Sequence, residues 1–431
     1  MRRSNLTFVL TVVVSVAVCV CPAITGANPK FQVLYNFEGG KHGGRGTQTS
    51  EARAYKVLHA FTGASDGALP YAGLVRDRDG RFYGTTLRGG TGNCTDNGVM
   101  GCGVVFRMDS SGSETVLYDF TGGTDGANPF ATLVIDATGN LYGTTEFGGD
   151  PVCGGCGVVF EVSSNAQETV LHSFQGEPSD GSIPRGYLIR DDAGNLYGTT
   201  WQGGTEGGGT VFRLDSTQKE TVLHSFVGNT DGALPFSGLV RDAAGNLYGT
   251  TAEGGGSCAC GVVFKVNHAA DETVLHKFTG RRFPPQDGKT PYGGLIRDSH
   301  GNLYGTTYYG GSHVYGTVFR LSPAGKETVL HDFFPGSGDG GSPVAGLVRD
   351  ANGNLYGTTY HGGSSNMGTV FMLDKAGKET VLYNFIGGSD GAYPWAGLLR
   401  DAAGNLYGTT TQGGGTGCGG GGCGAVFMLH P

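Results

Sequence analysis

From residue 57 to residue 429 the apolar positions fall in short runs, each closed off by Gly, Asp or Pro, and the whole arrangement returns seven times. One copy reads ETVLHSF, then DGxxP, then GLVRDxxGNLYGTT, then a Gly-Gly loop and GTVFRL. The tyrosine of NLYGTT recurs as Tyr83, Tyr142, Tyr197, Tyr248, Tyr304, Tyr356 and Tyr407, at spacings of 51 to 59 residues. That period belongs with four-stranded propeller blades rather than with helical solenoids.

Within one copy, Leu239–Arg241 (strand A) and Leu247–Thr251 (strand B) flank Asp242-Ala243-Ala244-Gly245, a hairpin turn with Asp at its start and a Gly free to take positive φ. Val262–Val266 (strand C) follows a Gly- and Cys-rich loop, and Thr273–Phe278 (strand D) follows a polar turn, so the unit is an up-and-down meander. A lone sheet of this size leaves both apolar faces in water. The copies therefore have to stack, and seven twisted sheets close around an axis. The expected fold is all-β, a seven-bladed β-propeller of four-stranded antiparallel blades.

The chain ends indicate how the ring shuts. The last copy stops at its C strand, Val426 to Leu429, while Lys56 to Phe61 is a D strand with no blade before it. The N-terminal strand is expected to complete the last blade and so remove two exposed edges. A further D-like run, Phe31 to Gly40, is either a vestige or a competing clasp. The expected divisions are a leader at 1–27, an extension carrying that run at 28–55, and the ring at 56–431.

Composition refines this picture. With 83 Gly and 15% charged residues in 431, the chain would pass for low complexity if its glycines were not tied to fixed offsets of the repeat. Met1-Arg2-Arg3, the apolar run Leu6 to Val20 and the small residues up to Ala27 have the parts of a secretory signal peptide. Cleavage is expected after Ala27, with Ala23 next; an uncleaved anchor at 6–25 is the alternative. No later run is long and apolar enough to span a bilayer.

Export suits the cysteines. Beyond Cys19 and Cys21 they fall as Cys94 with Cys102, Cys153 with Cys156, Cys258 with Cys260 and Cys418 with Cys423, always two in one loop, and three copies have none. Local disulfides are expected, since a structural zinc wants four ligands and each loop offers two. No metal or cofactor is expected. Loss of Arg2 and Arg3 with the leader takes the formal charge from −8 to about −10, and the copies contain no basic cluster, which argues against nucleic acid. A monomer is expected.

The phrase ETVLHSFxGxxDGxxPxxGLVRDxxGNLYGTTxxGG…GTVFxL resembles the repeat of the GloVer tandem-repeat proteins, the choice-of-anchor family of exported bacterial proteins, over almost all of residues 57 to 429. The resemblance implies an exported, propeller-like protein whose relatives carry varied C-terminal sorting signals. It supplies no catalytic residues. Met428-Leu429-His430-Pro431 departs from that pattern, which puts surface retention in doubt.

The D-to-A and B-to-C loops should share one face, and variation among the copies is concentrated there. The seven DG aspartates, Asp66, Asp125, Asp180, Asp231, Asp287, Asp339 and Asp390, read as turn residues rather than as paired catalytic carboxylates or calcium ligands. Arg76, Arg190, Arg241, Arg297, Arg349 and Arg400 close six A strands, with Ile135 in the remaining copy, and are expected to pair with a turn Asp or a neighbouring blade. The strand D residues His59, His172, His224, His276 and His331, with Tyr118 and Tyr383 at the same position, are expected to hydrogen-bond between blades.

Aromatic residues after GTT or DGxxP vary among the copies: Tyr71, Phe130, Phe147, Trp201, Phe236, Tyr308, Tyr309, Tyr360, His361 and Trp395. Trp201, Tyr308, Tyr360, His361 and Trp395 are the candidate ligand-binding residues, with Trp201, Tyr308 and Tyr360 expected to be exposed. No catalytic motif is present, so the expected function is a secreted binding module for an extracellular glycan or protein on the disulfide-bearing face. The alternatives are an exported glycan lyase or hydrolase, using Glu146, Glu253 or His361, and a purely structural envelope or matrix protein. N-terminal sequencing of the exported protein is expected to begin at Asn28; a chain still starting at Met1 would favour the uncleaved anchor.

Overall fold

Each copy folds into an antiparallel sheet whose strands lie in chain order. In the fourth blade these are Val240–Arg241, Leu247–Thr251, Val262–Val266 and Glu272–Lys277, or A to D. The computed structural model describes residues 54–96, 99–283 and 286–431; the expected leader and the run at 31–40 lie outside them. In the seventh blade Leu399–Arg400, Leu406–Thr410 and Ala425–His430 are joined by Ala54–Ala60 from the other end of the chain. Tyr55 pairs with Leu429 and Val57 with Phe427. The N-terminal strand thus closes a seven-bladed β-propeller.

The apolar core is divided among the joints between blades. Tyr142, Val159 and Phe174 of the second blade pack on Leu188, Leu196, Phe212 and Leu214 of the third, and Phe61, Tyr407 and Val426 pack on Leu74, Phe82 and Phe106 across the closure. The glycine of YGTT is dictated by this packing. A Cβ on Gly198 would stand 2.7 Å from Phe212 Cζ, so the strand B position facing the strand C phenylalanine has to be bare. The first threonine of each GTT then ties one blade to the next, as in Thr199 to Ser237 O at 2.9 Å and Thr306 to Ala345 O at 2.8 Å. Thr409 makes the same bond to Ala72 O at 2.9 Å, from the last blade to the first.

The repeated polar residues have local duties. Asp350 accepts the N–H groups of Asn352 and Asn354, the Asn354 side chain and the Tyr356 hydroxyl, at 2.8 to 3.2 Å. One carboxylate therefore organises DxxGNLY. Burial works against its charge, but the hydrogen bonds from Asn354 and Tyr356 outweigh it and hold its pKa below the usual range. The strand A arginines lie over the tyrosine of the preceding blade, Arg190 over Tyr142 and Arg400 over Tyr356, both at 5.6 Å. Ile135 leaves Tyr83 without that cation.

The strand D histidines do otherwise than expected. His172 Nε2 is 3.1 Å from Asp180 and His224 Nε2 is 3.2 Å from Asp231, each reaching the DG aspartate of the loop that follows its own strand. Tyr118 and Tyr383 donate to Asp125 and Asp390 at 3.1 and 2.9 Å. A hydroxyl serves there because the need is one donor to a carboxylate. The same aspartates accept the N–H of a residue just after the strand, such as Gln175 and Val227, so they are turn residues.

Glu168, Glu220, Glu272, Glu327 and Glu379 open their D strands beside the DG aspartate of the preceding blade. Burial first, and that aspartate second, raise each of them to about 7. Tyr55 stands at this position in the closing strand, stacks on Tyr383 at 4.0 Å and donates to Asp390 O.

A glutamate with a raised folded pKa binds its proton more tightly in the native state, so stability falls as pH rises from about 4.5 to about 7. His224 and His361, whose pKa burial lowers, work in the opposite sense below about pH 6.5, as two groups against these five glutamates. Loss of the turn aspartates' charge limits stability below about pH 4. Thermal melting is expected to give a higher Tm at pH 5 than at pH 8, with Glu220→Gln narrowing the difference; a flat profile would contradict this.

Candidate functional site

The D-to-A and B-to-C loops do meet on one face. Gly181–Ser182 pairs with Gln202–Gly203, Gly288–Lys289 with Tyr309–Gly310, and Gly340–Gly341 with His361–Gly362. These ribbons lead to the residue before each Pro of DGxxP, which is left-handed in all seven blades: Leu69, Asn128, Ile183, Leu234, Thr290, Ser342 and Tyr393, with φ of 55 to 60°. Such a conformation is costly for a branched side chain and persists only where neighbours enforce it. The enforcement is visible. Ile183 N donates to Cys156 O at 2.9 Å, and its carbonyl accepts from Trp201 N at 3.0 Å.

The disulfides belong to this device. Cys94–Cys102, Cys153–Cys156, Cys258–Cys260 and Cys418–Cys423 are bonded, and the second cysteine of each offers its carbonyl to the left-handed residue of the next blade. Gly208, Tyr315 and Met367 do the same in the three blades without cysteine. The residue after the Pro is thereby set at the mouth of the axial channel.

Seven such residues, Tyr71, Phe130, Arg185, Phe236, Tyr292, Val344 and Trp395, ring a cavity of about 250 Å³. Their rings touch one another: Tyr71 is 5.2 Å from both Phe130 and Trp395, and Phe236 is 4.8 Å from Tyr292. Deeper in, Tyr187 reaches past Gly238 to Gly294, where a Cβ would meet its backbone and hydroxyl at 2.3 and 2.5 Å. Burial pushes its pKa up to about 12, so it stays neutral.

Arg185 is the one charged member of the ring. Its guanidinium lies 4.1 Å from the Trp201 ring and within 6 Å of Phe130 and Phe236, and its Nε donates to Glu146 Oε1 at 2.6 Å. Glu146 is 5% exposed; burial raises its pKa and Arg185, then Arg88, pull it back.

The predicted residues fall around this ring. Trp201 lies under Arg185; Tyr308 packs on Tyr292 at 5.4 Å; Tyr360 packs on Trp395 at 5.3 Å with His361 beside it at 4.7 Å. Trp201, Tyr308 and Tyr360 are half-buried rather than exposed, because each leans on the ring residue of its own or the next blade. Phe147 and Tyr309, one place further along, are the exposed ones at 42% and 48%. Burial lowers the His361 pKa, and its Nδ1 is buried without a hydrogen bond. Glu253 is exposed and does not line the cavity.

Arg185, Tyr187 and Tyr292 were not singled out from the sequence. The signal was present in register, since Arg185 stands where the other copies have an aromatic residue or Val. The face has a further property. Every large apolar side chain left exposed among the described residues, including Met100, Val152, Phe283 and Ile386 at 64 to 82%, lies on a D-to-A or B-to-C loop.

The sequence matches the Gloeobacter/Verrucomicrobia repeat over residues 25–260 and 238–427. The chain belongs to that repeat family. No curated protein matches it. Among solved structures, virginiamycin B lyase from Staphylococcus aureus is similar at TM-score 0.56 and 12% identity, over 88% of this chain and 99% of the lyase. An extracellular domain described as that of a hybrid two component system from B. thetaiotaomicron aligns at TM-score 0.56 and 11% identity, over 87% of this chain and 39% of that one. A second such domain aligns at 0.51 and 13%, over 88% and 41%. At these identities the likeness is one of fold. No helix among the described residues is long and apolar enough to cross a membrane.

The carbonyls offered by Cys102, Cys156, Cys260 and Cys423 have counterparts in the cysteine-free blades, so the ring should survive reduction. Each short loop closure contributes roughly 2 kcal/mol or less. Dithiothreitol is expected to lower Tm while leaving the far-ultraviolet circular dichroism at 25 °C native; complete unfolding on reduction would refute this.

Proposed function

We propose that this repeat-family member is an exported binding module whose ligand is an extracellular carbohydrate, held on the loop face around the axial cavity. The carrying observation is the ring of aromatic residues at the channel mouth, flanked by Trp201, Tyr308 and Tyr360, on the face that also carries the exposed apolar side chains. Aromatic faces held by a rigid scaffold offer sugar rings a large contact at low entropic cost. Disulfides in the loops and the leader-like N-terminus support export. The extracellular domains that share the ring are consistent with a sensing or binding use of the fold.

The glycan lyase or hydrolase reading draws on one feature, the buried Glu146. That carboxylate is engaged by Arg185, and among the described residues no Asp, Glu or His, Glu146 included, lines the cavity.

A glycan array probed with the oxidised protein, residues 28–431, is expected to give a restricted set of binders. Trp201→Ala and Tyr360→Ala, checked for native circular dichroism, should each weaken binding about tenfold. Unchanged binding by both variants would move the site off this face. An empty array, with recovery of one envelope protein in pull-downs, would replace carbohydrate by a protein partner.

A further inference from the structure

We infer that the axial cavity selects a ligand bearing a carboxylate, of which a uronate-type sugar is the form that fits the carbohydrate reading on which this inference rests. Among the described residues Arg185 is the only charged side chain lining the cavity. Its Nε is taken by Glu146, and its flat face by Trp201, with Phe130 and Phe236 on either side. Among the described residues the two Nη groups find no hydrogen-bond acceptor. What remains free is therefore the end-on edge of the guanidinium, the edge that pairs with both oxygens of a carboxylate.

The guanidinium decides the sign of the ligand's charge. Glu146 is nearly fully buried and meets Arg185 through Nε alone, so the positive group still presents its Nη edge to the cavity. A neutral ligand would leave the Arg185 Nη donors without partners in a cavity otherwise walled by rings and backbone, which costs affinity. The volume of about 250 Å³ is at the small end for ligand pockets, so a single ring or the terminal unit of a chain is the expected occupant. Trp201 and Glu146 are positioning residues here: the first fixes the guanidinium plane, the second its rotation about the long axis of the side chain.

The test uses matched pairs, D-glucuronate with D-glucose and benzoate with benzyl alcohol, titrated calorimetrically into the oxidised protein. The acidic member of at least one pair is expected to bind about tenfold or more tightly than its neutral counterpart. Arg185→Gln should abolish that preference, and Arg185→Lys, which keeps the charge but loses the planar fork, should abolish most of it and serves if the glutamine variant fails to fold. Glu146→Gln keeps an acceptor for Nε while removing the opposing charge, and should strengthen carboxylate binding. A purely structural Arg185–Glu146 pair predicts no such gain. Equal binding of acidic and neutral members, no binding of any of the four, or a preference that survives in Arg185→Gln would overturn the inference. Equal, measurable binding of glucuronate and glucose, with benzoate no tighter than benzyl alcohol, would overturn it while leaving the carbohydrate reading standing. Benzoate binding through Arg185 with an empty glycan array would do the reverse.

Discussion

Everything in this molecule depends on the joint between blades. A four-stranded blade has two apolar faces and no core of its own, so it is stable only when both faces are covered by its neighbours. Phe212 and its counterparts fill each joint, the facing strand B glycine makes room for them, and a threonine such as Thr199 ties the two backbones together. A linear array of this kind would expose an apolar face at each end. Thr409 to Ala72 and the pairing of Ala54–Ala60 with Ala425–His430 remove both ends at once.

Closing the ring leaves two unequal faces. On one, the DxxGN and C-to-D turns are polar, the former each built on an Asp carboxylate such as Asp350 and the latter on Asp, Asn or Ser, as in Asp215, Asn267 and Ser322. On the other, loops of different length carry the disulfides, the half-buried aromatic side chains and the exposed apolar ones. The two kinds of loop brace each other. A left-handed residue before every DGxxP proline is held at its N–H by the preceding blade and at its carbonyl by its own, and the next but one residue is delivered to the axis. Strained backbone of this sort is a rigid mount, and rigidity is what a binding surface needs if contacts are not to be spent on ordering it.

The same geometry explains why residues with chemistry in their side chains do structural work here. The DG aspartates, the strand D histidines and the strand A arginines recur because each blade needs the same turn and the same joint. Function is to be sought where the copies disagree. Arg185 among aromatic rings, and Tyr187 where five copies have Gly, are such disagreements.

The sequence alone determined the ring: the period, the four strands of each copy, the number of blades and the strand that shuts it, down to the residues of strands B and C. It could do so because those features rest on local alternation and on repetition, which one chain displays seven times over. It also placed the loops on their faces and named Trp201, Tyr308, Tyr360, His361 and Trp395. The tertiary structure decided what these residues touch. The site is assembled from one residue per blade, some 50 positions apart in the chain, and no local pattern says which side chain will lean on which across an axis. Arg185 acquires its meaning only when Glu146 of one blade and Trp201 of the next close on it. The histidines, expected as links between blades, instead meet the loop that follows their own strand, because a seven- or eight-residue return is set by the turn and not by the residue types along it.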